Sequence, residues 1–165
     1  MINPDTTSAR PVLAVASLGG HWMQLLRICG ELERSVPVTY VTTNPGAAAM
    51  LPAGATLDVV PDFSRWDAWR LPAVMWRMWR IIRRRRPRAV ITTGAAPGLI
   101  AVAVGRLCGC RTLWIDSIAN AATLSGSGKM ARRVAHKVFT QWPGLATDGV
   151  EYHGNTFGKE AGQDS

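Results

Sequence analysis

Short apolar runs rich in β-branched residues alternate along this chain with longer runs of helical spacing. That alternation restricts the fold more than any other feature. Residues 11–17 (PVLAVAS) read as a buried strand, which Gly19 and Gly20 break. From 21 to 34, Trp22, Leu25, Leu26, Cys29 and Leu32 recur at helical spacing. Residues 36–42 form a second predicted strand, 45–51 a short helix and 56–60 a third strand. Residues 72–86 read as a helix that Pro87 stops. A fourth strand over 89–93 leads into a helix opened by Pro97 and Gly98 and running to about 109. A fifth strand at 111–115, a helix at 128–136 and a sixth strand at 137–141 complete the series. Strand and helix repeated in this order predict an α/β fold, a Rossmann-like parallel sheet with helices on both faces.

The 165 residues suffice for one domain with its own core. The expected organisation is a flexible N-terminus at 1–10, a single domain at 11–157 and a flexible tail at 158–165. An apolar share of 47% against 18% charged residues excludes a disordered chain. Three cysteines supply no disulfide framework, and Cys108 and Cys110 stand too close together for a zinc site. They read as reduced thiols in the cytosol, and neither metal nor cofactor is expected. The first ten residues lack the basic-then-apolar pattern of a signal peptide. The uncharged stretch 89–105 is interrupted by Thr92, Thr93, Gly94, Pro97 and Gly98, so no transmembrane span is read. The net charge is +8, and sixteen of the nineteen basic residues are arginine. Arginine in that excess points to phosphate or carboxylate partners: nucleic acid, acidic lipid or a phosphorylated substrate.

Three loops fall where strands give way to helices. Ser17-Leu18-Gly19-Gly20-His21 puts two glycines and a histidine at a helix mouth, where free amides receive anions. The same residues also suit a tight turn with a capping histidine, and spacing does not separate the two readings. The loop is not a Gly-x-Gly-x-x-Gly fingerprint, which argues against a nicotinamide or flavin cofactor. Thr92-Thr93-Gly94-Ala95-Ala96-Pro97-Gly98 is a second small-residue turn on the same sheet edge, suited to ligand contact or to close helix–sheet packing. Asp116, Ser117 and Asn120 follow the fifth strand. The run Ser125-Gly126-Ser127-Gly128-Lys129 lacks the spacing of a phosphate-binding P-loop.

Residues 66–86 combine Trp66, Trp69, Trp76 and Trp79 with Arg70, Arg77, Arg80 and Arg83 to Arg86. At 100° per residue, Arg70, Arg77, Arg80 and Arg84 share one side. Leu71, Val74, Met75, Met78, Ile81 and Ile82 share the other, with Trp69, Trp76 and Trp79 between. A basic face, an apolar face and a tryptophan border suit a helix lying in a membrane interface. A surface helix packed on the sheet explains the aliphatic residues equally well. It explains the tryptophans and the arginine block less well.

Taken together these motifs resemble the acceptor-side subunit of split GT-B glycosyltransferases. That family includes the membrane-anchoring subunit of the dolichol-linked N-acetylglucosaminyltransferase and bacterial capsule and exopolysaccharide glycosyltransferase subunits. The resemblance runs from about Val12 to Phe157. It rests on Ala16 to His21, Thr92 to Pro97, Ser117 with Leu124 to Lys129, Phe139 to Pro143, and Tyr152 to Asn155. It implies the N-terminal half of a GT-B enzyme. This half takes a polyprenyl-pyrophosphate-linked acceptor, while a separate donor-binding subunit holds most of a nucleotide sugar, expected to be UDP-linked. His21 is then the catalytic candidate, and Ser17, Gly19, Gly20, Thr93, Gly94, Ser117 and Asn120 are the candidate acceptor and phosphate contacts. Asn155 falls near the junction with the donor half. Trp69, Trp76, Trp79, Arg77, Arg80, Arg83 and Arg84 are the candidate contacts to the inner leaflet of the cytoplasmic membrane, with the protein peripheral on its cytoplasmic side. Many relatives carry a basic residue near the position of Asn120, which leaves the acceptor open. Two other classes stay in view: a non-catalytic membrane scaffold for the partner, and, less favoured, a basic nucleic-acid-binding module. No recognition module for nucleic acid is visible in the sequence.

Overall fold

A computed structural model describes residues 10–62 and 65–156. The expectations of flexible ends at 1–10 and 158–165 fall outside these residues, Arg10 excepted, as do Phe157 and the side chain of Trp66.

Seven strands form one parallel sheet in the order β3-β2-β1-β4-β5-β6-β7. They are β1 (Val12–Val15), β2 (Val38–Thr42), β3 (Thr56–Val59), β4 (Ala89–Thr92), β5 (Arg111–Ile115), β6 (Lys137–Thr140) and β7 (Glu151–Tyr152). Among the described residues four α-helices join them: α1 (Gly20–Leu32), α2 (Leu71–Arg85), α3 (Ala95–Leu107) and α4 (Gly126–Val134). This is the Rossmann-like arrangement expected from the alternation. Strand order reverses between β1 and β4, and in open parallel sheets ligands gather outside the carboxyl ends of the strands at that point.

The two faces are covered unequally. Val74, Met78, Ile81 and Ile82 of α2, Ile100 and Val104 of α3 and Ala131 of α4 bury one face with Leu13, Val15, Val90, Trp114 and Val138. On the other, Trp22, Leu25 and Cys29 of α1 close over Ala14, Ala16 and Tyr40. Fully burying a side chain of this size contributes about 1.5–3 kcal/mol. The ring of Trp22 meets that of Tyr40 edge-on at 5.7 Å.

Several expectations need correction. The short helix expected at 45–51 is a 3-10 turn, Pro45–Met50, which Asn44 caps through its side chain. Residues 65–70 also form a 3-10 turn, so α2 begins at Leu71. β7 was not expected, since two residues carry no periodic pattern. Leu71 and Met75 do not join the buried side of α2; they stay 37% and 39% exposed. The arginine block ends the helix as its charge favours, with Arg86 in a left-handed cap at φ 49°. Arg84 and Arg85 both bond Asp58, which ties α2 to β3. Burial alone would raise the Asp58 carboxyl, but hydrogen bonds from the two guanidinium groups outweigh it and hold the carboxyl below its usual range.

Candidate functional site

The loops after β1 and β4 meet at the carboxyl edge of the sheet, where the strand order reverses. α1 starts after Gly19 (φ 113°, ψ −145°) and α3 after Gly94 (φ 131°, ψ −167°). Residues with a Cβ rarely adopt either conformation. At Gly94 a Cβ would also stand 2.7 Å from the His21 ring. Neither helix has a side-chain N-cap or an acidic residue in its first turn. Their first amides are therefore left for an anion, and the helix dipoles add partial positive charge.

His21 and Thr93 clasp the two loops together. The His21 Nδ1 lies 2.9 Å from the Thr93 carbonyl oxygen, and the Thr93 hydroxyl donates to the His21 carbonyl oxygen at 2.6 Å. A carbonyl only accepts, so Nδ1 carries the hydrogen. In the neutral ring Nε2 is then the nitrogen able to take a proton. A partly buried imidazole oriented in this way has the geometry of a general base. Ser17, also partly buried, lies in the β1–α1 loop.

The β5–α4 loop is held from within. The buried Asp116 carboxylate accepts from Trp114 Nε1 (3.1 Å), the Ser125 backbone N–H (2.8 Å), the Ser125 hydroxyl (2.6 Å) and Asn120 Nδ2 (3.4 Å). Its backbone carbonyl accepts from Gln24 of α1 at 3.3 Å and from Gln141 at 3.0 Å. Asn120 thus turns its amide toward Asp116, and the Ser117 hydroxyl oxygen accepts from the Ala119 N–H. Both residues share the edge with His21, on the loop after β5, one strand beyond β4. Asn155 lies further along, lining a separate cavity of about 180 Å³ with Gln141, His153 and Ile28. Sequence reasoning passed over Gln24 as an anchoring residue. A buried amide on an otherwise apolar helix face was its only mark.

The candidate membrane residues lie on the exposed side of α2 and, for Trp69, on the 3-10 turn that precedes it. Trp69, Trp76 and Trp79 are 76%, 55% and 46% exposed, beside Leu71 and Met75. Arg70, Arg80 and Arg83 stack on their rings at 5.3, 4.7 and 5.9 Å. The aliphatic stripe of Val74, Met78, Ile81 and Ile82 is core, so the apolar surface that α2 and the preceding turn expose is this tryptophan strip with Leu71 and Met75. Arg77 donates to the Val59 carbonyl, and Arg84 shares the Asp58 carboxylate with Arg85. Among the described residues no helix is long and apolar enough to cross a membrane, and no three His, Cys, Asp or Glu side chains form a metal-ligand set.

No protein-family model matches the chain. It is similar to the UDP-N-acetylglucosamine--N-acetylmuramyl-(pentapeptide) pyrophosphoryl-undecaprenol N-acetylglucosamine transferase of Alkalilimnicola ehrlichii. The two are 31% identical over an alignment of 162 residues that covers 88% of this chain and 44% of that protein. Among solved structures, MurG of Acinetobacter baumannii superposes with a TM-score of 0.75 at 15% identity, over 87% of this chain and 45% of that one. The UDP-GlcNAc 2-epimerase of Methanocaldococcus jannaschii superposes at 0.67 and 11% identity, over 88% and 45%. The chain thus spans less than half the length of these proteins. By sequence it is homologous to the N-terminal half of a MurG-type transferase, and its fold is that of the N-terminal half of a GT-B glycosyltransferase.

Proposed function

We propose that this chain is the acceptor-side half of a GT-B glycosyltransferase whose donor-binding half is a separate chain. The crevice between the α1 and α3 N-termini receives the pyrophosphate of a polyprenyl-linked acceptor. His21 Nε2 takes the proton of the acceptor hydroxyl. The freed oxygen attacks the anomeric carbon of the nucleotide sugar, the bond from that carbon to the phosphate oxygen breaks, and the nucleoside diphosphate leaves. Ser17, Gly19, Gly20, Thr93, Gly94, Ser117 and Asn120 line or support the acceptor side of this crevice, and Asn155 faces the donor half. The observation that carries the reading is the His21–Thr93 clasp, which orients a base beside two uncapped helix N-termini. The similarity to half of a transferase that names both a UDP-sugar and a pyrophosphoryl-undecaprenol acceptor supports it.

The test is reconstitution. Purified alone, the chain is expected to give no turnover on a panel of UDP-sugars with a polyprenyl-pyrophosphate-linked sugar. Co-expressed with its donor-binding partner, it is expected to become active. Efficient transfer by the single chain would refute the split arrangement. An assembled complex that transfers no sugar would refute the transferase reading in favour of a scaffold.

We also assign the exposed strip of α2 to the inner leaflet, as a peripheral contact. The stacked arginines contribute attraction to acidic lipid of about 1 kcal/mol each, and the tryptophans add insertion that salt does not screen. Replacing Arg80 and Arg83 with Gln is expected to weaken flotation with acidic vesicles roughly 30-fold at low salt. Replacing Trp76 and Trp79 with Ala is expected to weaken binding to neutral and acidic vesicles alike. Absence of flotation by the wild-type complex with either vesicle ends this assignment. A shift of duplex DNA or RNA at physiological salt would favour the nucleic-acid module instead.

A further inference from the structure

Two side chains that start three strands apart reach toward each other over the carboxyl edge of the sheet. In the order β1-β4-β5-β6, His21 follows β1 and Trp142 follows β6. His21 reaches across to the Thr93 carbonyl, in the loop after β4. Trp142 reaches the other way. Its Nε1 donates to the Ile118 carbonyl, in the loop after β5, at 2.7 Å. The two rings therefore stand over neighbouring loops, whose strands lie about 5 Å apart. Trp142 is fixed from its backbone as well. Its N–H donates to the Thr140 hydroxyl at 3.2 Å, and Pro143 follows it at the start of a 3-10 turn, Pro143–Leu145. The buried Gln141 beside it donates to the Asp116 carbonyl, so the chain after β6 grips the β5–α4 loop at two of its carbonyls.

A tryptophan tied down in this way usually serves the core, as the wholly buried Trp22 and Trp114 do, yet Trp142 stays 36% exposed. Indole has one polar atom, a donor, and Trp142 has spent it on Ile118. What the ring still offers is carbon. Two unspent polar groups stand on the turn it is tied to. The Ser117 hydroxyl oxygen accepts from the Ala119 N–H, and its own hydrogen has no acceptor among the described residues. Asn120 donates to Asp116 through Nδ2, and its amide oxygen has no donor among the described residues. A fixed carbon face beside one donor and one acceptor calls for a ligand with an apolar face and a rim of hydroxyls. A pyranose ring is built that way: the C–H bonds of one face meet the indole, and the hydroxyls around the ring take hydrogen bonds. A prenyl chain has nothing to give Ser117 or Asn120, and a phosphate has no apolar face for the indole.

We propose that Trp142 is the platform on which a pyranose ring of the lipid-linked acceptor stacks, with Ser117 and Asn120 at its rim. The ring lies between Trp142 and His21 and turns one hydroxyl toward His21 Nε2. The indole takes no part in proton transfer; it sets affinity for the sugar. That the sugar belongs to the acceptor rests on the function proposed above; the fixed carbon face and its two polar neighbours do not.

The experiment titrates the full chain, alone and with its donor-binding partner, with two kinds of short lipid. One is bare farnesyl pyrophosphate. The other is farnesyl pyrophosphate carrying glucose, galactose, N-acetylglucosamine or N-acetylmuramic acid. Wild type is expected to bind at least one sugar-bearing lipid about 10-fold more tightly than the bare one. Trp142→Ala is expected to erase that ratio, weakening the sugar-bearing lipid and leaving the bare one unchanged. Trp142→Phe is expected to keep most of it, because phenylalanine supplies ring carbon without the N–H that ties Ile118. Ser117→Ala, which leaves that tie intact, is expected to lower the ratio by about half or more. No preference for any sugar-bearing lipid in wild type overturns the proposal. So does an equal loss for both lipids in Trp142→Ala, which is the mark of a strut, and so does a Trp142→Phe variant as poor as Trp142→Ala. Loss of the partner from Trp142→Ala at an unchanged ratio means that the indole meets protein, and the proposal falls. Where Trp142→Ala does not stay folded, an unchanged ratio in Ser117→Ala overturns it. A chain that selects a sugar through Trp142, in an assembly that transfers none, keeps the platform and removes the enzyme. An active assembly whose KM for the acceptor ignores Trp142 does the reverse.

Discussion

His21→Asn is expected to lower kcat of the assembled enzyme by about 100-fold or more, the usual range for loss of a general base. Its Tm should stay within about 2 °C of wild type. Asparagine is chosen because its side-chain amide nitrogen falls near the place of Nδ1. It can keep donating to the Thr93 carbonyl, which His21 reaches at 2.9 Å. The return bond, from the Thr93 hydroxyl to the residue-21 carbonyl, is made to backbone and survives any substitution at 21. The clasp between the two loops is therefore retained while the proton acceptor is gone. His21→Ala removes both, and is expected to match the rate loss while costing in addition about 1 kcal/mol of stability. The pair separates a base from a strut. A near-normal rate for His21→Asn with a depressed one for His21→Ala would make His21 a strut. Near-normal rates for both would leave the chain a scaffold, with chemistry carried wholly by its partner.

The edge of the sheet that carries this site was legible in the sequence because strand-to-helix turns must be small and polar. Gly19, Gly20 and Gly94 therefore announce themselves. The clasp was not, because it runs through backbone carbonyls of residues 72 positions apart, to which no side-chain pattern refers. Asp116 illustrates the opposite limit. Its place after β5 suggests an acid facing a ligand, yet its carboxylate is spent on Trp114, Ser125 and Asn120. Only the fold reveals that it faces inward. For α2, helical spacing found the buried Val74, Met78, Ile81 and Ile82 and overreached at Leu71 and Met75, which lie in the first two turns. Leu113 and Phe139, partly exposed beside the buried Trp114 and Val138, are the hardest case. In sequence they are indistinguishable from core, because an open sheet face and a covered one are written in the same apolar residues.

Gly94→Ala and Gly19→Ala are expected to cost stability alike and to damage the reaction differently. Both positions hold positive φ, 131° and 113°, and forcing an L-residue into such backbone costs about 1–3 kcal/mol. Urea unfolding should therefore place the two variants close together, below wild type. The space around them differs. A Cβ at Gly19 meets nothing within 4 Å, whereas one at Gly94 would stand 2.7 and 2.8 Å from His21 Cε1 and Nδ1. The imidazole must then move off the Thr93 carbonyl, and a displacement near 1 Å at a reacting group costs on the order of 100-fold in rate. Gly94→Ala should accordingly lose kcat by about that factor with KM for the acceptor little changed. Gly19→Ala puts its methyl into the open space where the acceptor pyrophosphate is proposed to lie, and should raise KM while leaving kcat nearer to wild type. The readout is steady-state kinetics of the two assembled variants at a temperature where both are folded. Equal losses of kcat in both would mean that backbone strain alone is felt, and that Gly94 is not there to seat His21. A normal kcat in Gly94→Ala would mean that the ring can leave its seat without consequence, and His21 would lose its place in the chemistry.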